Sequence, residues 1–300
     1  MIVKIPGSSA NLGPGFDCFG LAWQLYNKIE FTLGGDKLAI SGCPERFQNR
    51  DNLAFAGYKA VLNACGLSEE PVSIRFLETE IPVSRGLGSS AALIVGGAAA
   101  ANALHGLNLT KEELLSVSTP VEGHPDNIAP SLFGGFTASS MDDGRAVTAA
   151  FPVSGRLHFT ALVPDFELST ELSRSVLPLE YAKADAVFNV SRAALLIKAL
   201  EQGDGALLAT ALQDKIHQPY RSRLIPGYER AQDLAKNLGA AGMCISGAGS
   251  TLLCISLSPD FSAAMAEAMR TEFPAWRVLE MRPDTEGVQV INSHEQPEKA

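Results

Sequence analysis

The sequence predicts an α+β protein of two domains. Three observations lead there: a length of 300 residues, a strand and helix pattern that starts afresh near residue 155, and glycine-rich segments in both halves. Domains usually hold ~100–200 residues, so the length favours two. Hydrophobic residues at 46% and charged residues at 19% exclude a disordered chain, and 27 glycines without a fixed period exclude a collagenous one.

Residues 2–5, 28–33 and 37–41 read as strands, the last two closing a hairpin over Gly34-Gly35-Asp36. Residues 52–65 read as a helix, since Leu53, Ala56, Ala60 and Ala64 recur at helical spacing before Gly66. Residues 72–77 alternate Val72, Ile74 and Phe76 with Ser73 and Arg75, a half-buried strand. Thr110 and Glu113 form a capping box at a helix start.

Past residue 155 come a strand at 157–163, helices at 184–200, 205–214 and 228–238, and strands at 242–245 and 251–257. A helix opening with Ser258 as N-cap and Pro259 in its first turn follows, then a strand at 276–281. That order, β-α-β-β-α-β with extra helices after the first strand, is a ferredoxin-like split βαβ unit. The expected division is therefore 1–155, 156–292 and a polar tail at 293–300.

Lys and Arg total 24 against 33 Asp and Glu, a formal charge of -9. Nucleic-acid polymers and anionic membranes attract a surplus of Lys and Arg, so both are excluded as partners. The five cysteines contain no Cys-x-x-Cys pair, which disfavours zinc ribbons, redox motifs and a disulfide framework. With no apolar leader before Pro6 and no apolar run long enough to span a membrane, the expected location is the cytoplasm. A homodimer is allowed.

Chemistry concentrates in four segments. Pro82, Val83, Ser84, Arg85, Gly86, Leu87, Gly88, Ser89, Ser90, Ala91 and Ala92 lead into an Ala-rich helix. Small residues let the backbone approach a ligand, and free N–H groups at a helix start suit phosphate. The paired serines offer hydroxyls to a magnesium ion. A Walker A loop is excluded by its missing Lys, and a dinucleotide fingerprint by its missing third Gly. The segment from Pro6 to Asp17, with three Gly and two Pro in twelve residues, reads as a structureless loop carrying Asn11 and Asp17 for a polar substrate. Ser246-Gly247-Ala248-Gly249-Ser250 reads as a hairpin able to bring backbone near a ligand held by the first domain. Glu122-Gly123-His124-Pro125-Asp126-Asn127 offers Glu122 as a magnesium ligand and Asp126 or Asn127 to orient a hydroxyl, or alternatively to cap a helix. His124 has no second His at zinc-ligand spacing.

Together these segments resemble the GHMP kinase superfamily, whose three motifs match in order at 6–17, 82–92 and 245–252. Ser9-Ala10-Asn11-Leu12-Gly13-Pro14-Gly15-Phe16-Asp17, His124-Pro125-Asp126-Asn127-Ile128-Ala129-Pro130 and His217-Gln218-Pro219-Tyr220-Arg221 are similar to its homoserine-kinase branch, ATP-dependent enzymes of threonine biosynthesis. The resemblance implies a ribosomal-protein-S5-domain-2-like N-terminal domain and a ferredoxin-like C-terminal domain. It implies that the 82–92 loop binds ATP and that Ser90 and Glu122 hold Mg2+. Asn11, Asp17, His124, Asp126, Asn127, Thr170, Arg174 and Arg221 would bind L-homoserine, with Asn127 and Arg174 catalytic. Asn127 stands where some superfamily members carry a basic Asp, so the γ-phosphate itself would accept the hydroxyl proton. A zwitterion needs Arg for its carboxylate and Asp for its ammonium. Another small-molecule GHMP kinase and a non-catalytic ligand sensor of the same fold remain the alternatives.

Overall fold

The computed structural model describes residues 1–291; the expected polar tail at 293–300 lies outside the described residues. The first part of the chain runs β1 (Ile2–Ala10), β2 (Phe19–Leu33), β3 (Ala39–Ser41), α1 (Leu53–Ala64), β4 (Val72–Thr79) and α2 (Ser89–Leu104). It continues with α3 (Lys111–Glu122), α4 (Ile128–Phe133), β5 (Phe136–Asp142) and β6 (Arg145–Phe151). After residue 155 come β7 (His158–Val163), α5 (Thr170–Ser175), α6 (Lys183–Gln202), α7 (Gly205–Ala211) and α8 (Gln218–Arg221). The remainder is α9 (Tyr228–Asn237), β8 (Gly242–Ile245), β9 (Leu252–Ser256), α10 (Phe261–Glu272), β10 (Arg277–Met281) and β11 (Gln289–Ile291).

Seven strands form the first sheet, with β2 as its spine: Phe19–Leu21 pair with β5, and Asn27–Leu33 with β4. Ile29 and Phe31 of β2, Val3 and Ile5 of β1, and Val72 and Ile74 of β4 are fully buried beneath α1 and α2. Those two helices meet backbone to backbone. A Cβ on Gly97 would lie 1.8 Å from the Ala54 carbonyl oxygen, and one on Gly57 2.0 Å from that of Ile94. The Ala-rich composition of α2 is thus a packing requirement, and its N-terminus is held against the sheet.

The second sheet has the order β10-β7-β9-β8 and is antiparallel throughout. That is the split βαβ arrangement read from the sequence. The Thr110 and Glu113 capping box also forms as expected, with both reciprocal hydrogen bonds.

Several expectations need correction. The 28–33 and 37–41 segments do not pair with each other; β3 lies parallel to β4, which separates it from β2. The buried face of β4 claims the inner position, while Ala39 and Ser41 are exposed and suit an edge. Pro6 to Ala10 is not loop but the second half of β1, paired with β2 across a register shift at Pro6/Gly7 that accommodates the proline. Ser258 caps nothing with its side chain; its N–H donates to Ser256 Oγ, and α10 starts later, at Phe261. The 156–292 segment is not a single body, because β11 returns to the first sheet and pairs with β1. Strands β5, β6 and the first half of β2 add to the elements that the sequence predicts.

The Gly97 contact gives a direct test. Gly97→Ala should destabilise the protein by about 3 kcal/mol, since the obstacle is a backbone carbonyl that cannot step aside. Gly155→Ala, with nothing within 4 Å of the added carbon, should stay within about 0.5 kcal/mol of the parent in the same urea titration.

Candidate active site

The glycine-rich segments converge on the seam between the two sheets. The loop before α2 is pinned by its carbonyls: Ser84 O accepts from Leu168 N, Arg85 O from Thr251 N, Gly86 O from Ser246 Oγ and Leu87 O from Ser8 N. With the carbonyls committed to that side, the N–H groups of Gly88, Ser89 and Ser90 donate to no acceptor among the described residues. They form the positive end of a 16-residue helix, the arrangement that attracts phosphate. Gly86 and Gly88 both have positive φ and sit against other segments; a Cβ would lie 2.2 Å from the Ser246 carbonyl oxygen at Gly86, and 2.2 Å from the Ser8 hydroxyl and 2.9 Å from the Ser8 backbone nitrogen at Gly88. Gly88 occupies the N-cap without any side-chain cap. The Arg85 side chain turns away to the carbonyls of Pro164 and Asp165 at 3.0 and 2.8 Å, so it fastens the loop across the seam.

Ser90 Oγ donates to Glu122 Oε2 at 2.5 Å, which joins the first turn of α2 to the last residue of α3. Burial pushes the Glu122 carboxyl above its ordinary range, against the opposing pull of the Ser90 hydrogen bond. A hydroxyl and a partly buried carboxylate are hard oxygen donors suited to Mg2+. Among the described residues no group of three His, Cys, Asp or Glu could hold a metal alone.

His124 Nδ1 donates to Asp126 Oδ1 at 2.8 Å. Burial opposes the imidazolium, but the hydrogen bond and charge of Asp126 together raise the His124 pKa. Asn127 precedes α4 without capping it. Its Oδ1 accepts from Ser8 Oγ at 2.9 Å, which leaves the amide NH2 free for another partner.

Across the seam, Arg174 makes a two-pronged pair with Asp17, at 3.0 and 2.7 Å. The Asp17 hydrogen bond raises the Arg174 pKa despite burial. Asn11 stands behind this pair: Oδ1 accepts from Asp17 N at 2.9 Å and Nδ2 donates to Gly247 O at 2.8 Å. With both ends of its amide engaged and 3% exposed, Asn11 ties the first segment to the third and sets Asp17 in place. Thr170 is exposed at the start of α5, four residues before Arg174 on the same helical face. Arg221, 2% exposed, has no carboxylate within salt-bridge distance among the described residues. It donates from Nε to Ser173 O at 3.1 Å and from Nη1 to Gly247 O at 3.2 Å. Burial and the nearby Arg174 charge push its pKa down to about 10. A cavity of about 660 Å3 opens elsewhere, between α7, α9 and β8, and includes none of these expected site residues.

The sequence patterns of the GHMP kinases N terminal domain and GHMP kinases C terminal match residues 52–135 and 196–275. A homoserine kinase of Clostridium botulinum (strain Okra / Type B1) is 42% identical over 292 residues, 97% of this chain and 98% of that one. The chain belongs to the homoserine kinase branch of the GHMP kinases. A homoserine kinase of Clostridium beijerinckii is 40% identical over 96% of this chain and 98% of its own. The crystal structure of homoserine kinase from Cytophaga hutchinsonii superposes with a TM-score of 0.86 at 29% identity, covering 97% of each chain. The two-domain GHMP kinase fold expected from the motifs is the fold observed, and membership of this kinase family implies use of ATP.

Sequence reasoning did not single out Ser8, Phe16, Ser173 or His217, all of which touch site residues. Ser8, Phe16 and His217 lie inside the segments that carry the resemblance, and only their contacts separate them from spacing residues. For a homoserine kinase built this way, Gly86→Ala should weaken binding of a non-hydrolysable ATP analogue at least about tenfold by calorimetry, because the displaced loop can no longer present its N–H groups together.

Proposed function

We propose that the enzyme transfers the γ-phosphoryl group of ATP to the side-chain hydroxyl of L-homoserine, giving O-phospho-L-homoserine for threonine biosynthesis. The observation that carries this reading is the juxtaposition, at one seam, of a helix-end N–H cluster, an oxygen pair for magnesium, and an Asp and two Arg for a zwitterion.

Phosphoryl transfer is mainly a matter of positioning and charge stabilisation. Gly86 to Ser90 bind the ATP phosphates through backbone N–H groups. Ser90 and Glu122 would hold Mg2+, which when bound neutralises phosphate charge. Arg221 takes the substrate carboxylate, since its guanidinium is unpaired and already fixed by neutral carbonyls. Asp17 takes the ammonium, and Arg174 moves from Asp17 toward the carboxylate or the transferring group as substrate enters. Thr170, His124 and Asp126 complete the polar wall around the substrate. Asn127, held by Ser8, donates its amide N–H to the attacking hydroxyl oxygen and orients it. The oxygen bonds to the γ-phosphorus, the bond to the β-phosphate oxygen breaks, ADP leaves, and the hydroxyl proton passes to a γ-phosphate oxygen. Tight binding of the zwitterion costs desolvation of the charged Asp and Arg groups, which only a matching substrate offsets.

The reading takes the enzyme to be cytoplasmic, where its free cysteines stay reduced. Its partners are the small molecules L-homoserine and ATP, with a homodimer allowed, and no described helix is long and apolar enough to cross a membrane.

ADP release measured over L-homoserine, mevalonate, galactose and shikimate should be confined to homoserine; silence with homoserine would overturn the assignment. Asn127→Ala should lower kcat by about a hundredfold while the pH–rate profile keeps its shape; loss of the acidic limb would show a true base instead. Glu122→Gln should raise the magnesium concentration for half-maximal rate by about tenfold or more, measured at saturating homoserine.

A further inference from the structure

Arg221 is held in an unusual way. A buried guanidinium normally pairs with a carboxylate, as Arg174 does with Asp17, yet none lies within 4 Å of Arg221 among the described residues. Its neighbours are two backbone carbonyls, the His217 ring and the Phe16 ring.

The His217 contacts fix its protonation. Nε2 lies 2.7 Å from Gly13 O, and a carbonyl only accepts, so Nε2 carries the proton. Nδ1 faces Arg221 Nη1 at 3.4 Å, and a guanidinium only donates, so Nδ1 is bare. The ring is therefore neutral, and its complete burial holds the pKa below the ordinary histidine value although a buried Asp214 carboxylate oxygen lies 3.7 Å from Nε2. Phe16 stacks on this imidazole at 5.3 Å between centroids and 26° between planes. The Arg221 guanidinium carbon lies 5.1 Å from the Phe16 centroid, and that of Arg174 5.6 Å. Both cations are within the range at which an aromatic ring attracts them. Asp214 secures the arrangement from behind, accepting from the backbone N–H groups of His217 and Gln218 at 2.9 and 2.6 Å where α8 begins.

We infer that Phe16 and His217 are positioning residues for the substrate clamp: a stacked, uncharged aromatic pair that orients Arg221 without spending its charge on an internal anion. A carboxylate in place of His217 would hold Arg221 as firmly but would compete with the carboxylate of the substrate. The neutral pair leaves the Arg221 charge available. This inference rests on the proposed role of Arg221 in binding the homoserine carboxylate.

The test has two arms. In steady-state kinetics, Phe16→Leu should raise the KM for homoserine about tenfold with kcat and the KM for ATP within about twofold of the parent, and Phe16→Tyr should return the homoserine KM to near the parent value. An unchanged homoserine KM, or a loss confined to kcat or ATP binding, would overturn the inference. So would failure of Tyr to rescue. The second arm is independent of any substrate: side-chain 15N spectra of the intact protein should show one histidine fixed as the Nε2–H tautomer from pH 6 to 8 and absent in His217→Gln. A titrating or Nδ1–H ring at that position would overturn the inference even if homoserine is turned over. If the parent protein does not phosphorylate homoserine, the functional assignment fails while the spectra still decide the geometry.

Discussion

The whole site depends on bare backbone meeting bare backbone where three glycine-bearing segments interlock at the seam. Gly86 approaches Ser246, Gly88 approaches Ser8, and Gly247 N donates to Ala10 O at 3.0 Å. No side chain larger than hydrogen fits at Gly86 or Gly88, and both need a left-handed backbone as well. That contact joins the 82–92 loop of the first sheet to the β8–β9 turn of the second. It also turns the loop carbonyls inward, which is what leaves the N–H groups at the start of α2 without acceptors among the described residues. The fold below serves the same end: Gly57 and Gly97 let α1 and α2 touch, and the touching helices hold the N-terminus of α2 where the loop delivers it.

Charge is arranged with the same economy. The chain carries -9 overall, yet two arginines gather beside Phe16. Arg174 pairs with Asp17, whereas Arg221 donates to neutral backbone carbonyls. In the proposed reaction the first cation is exchangeable and the second stands ready, a division suited to a zwitterion that brings its own pair of charges. Net charge describes the outer surface and is silent about such a pocket.

Much of this was legible in the sequence, for identifiable reasons. The split βαβ order followed from hydrophobic periodicity and turn residues, and the Thr110 capping box from a two-residue pattern that acts locally. The close approach of the loop before α2 to its neighbours was legible because only glycine allows it at positions 86 and 88. What was not legible is set by partners far away in sequence. Whether 37–41 pairs with β2 or β4 depends on competition between strands, which the Gly34-Gly35 turn cannot reveal. Pro6 and Gly7 suggested a loop, although a register shift lets the strand continue through them. The tie from the Asn11 amide to Gly247, over two hundred residues away, is likewise invisible in the glycine-rich segment that carries Asn11. Phe16 and His217 carry no local mark at all; their shared contact with Arg221 exists only once the fold sets it beside both rings.

In the proposed reaction one seam reads both charges of the substrate and its hydroxyl together. The most direct measurement compares kcat/KM of the unmodified enzyme for L-homoserine with that for L-homoserinamide, which lacks the carboxylate, and 4-hydroxybutanoate, which lacks the ammonium. If Arg221 and Asp17 act as described, each analogue should lose about a hundredfold or more, because each leaves a desolvated charge without its partner. Turnover of either analogue at a rate close to that of L-homoserine would contradict it.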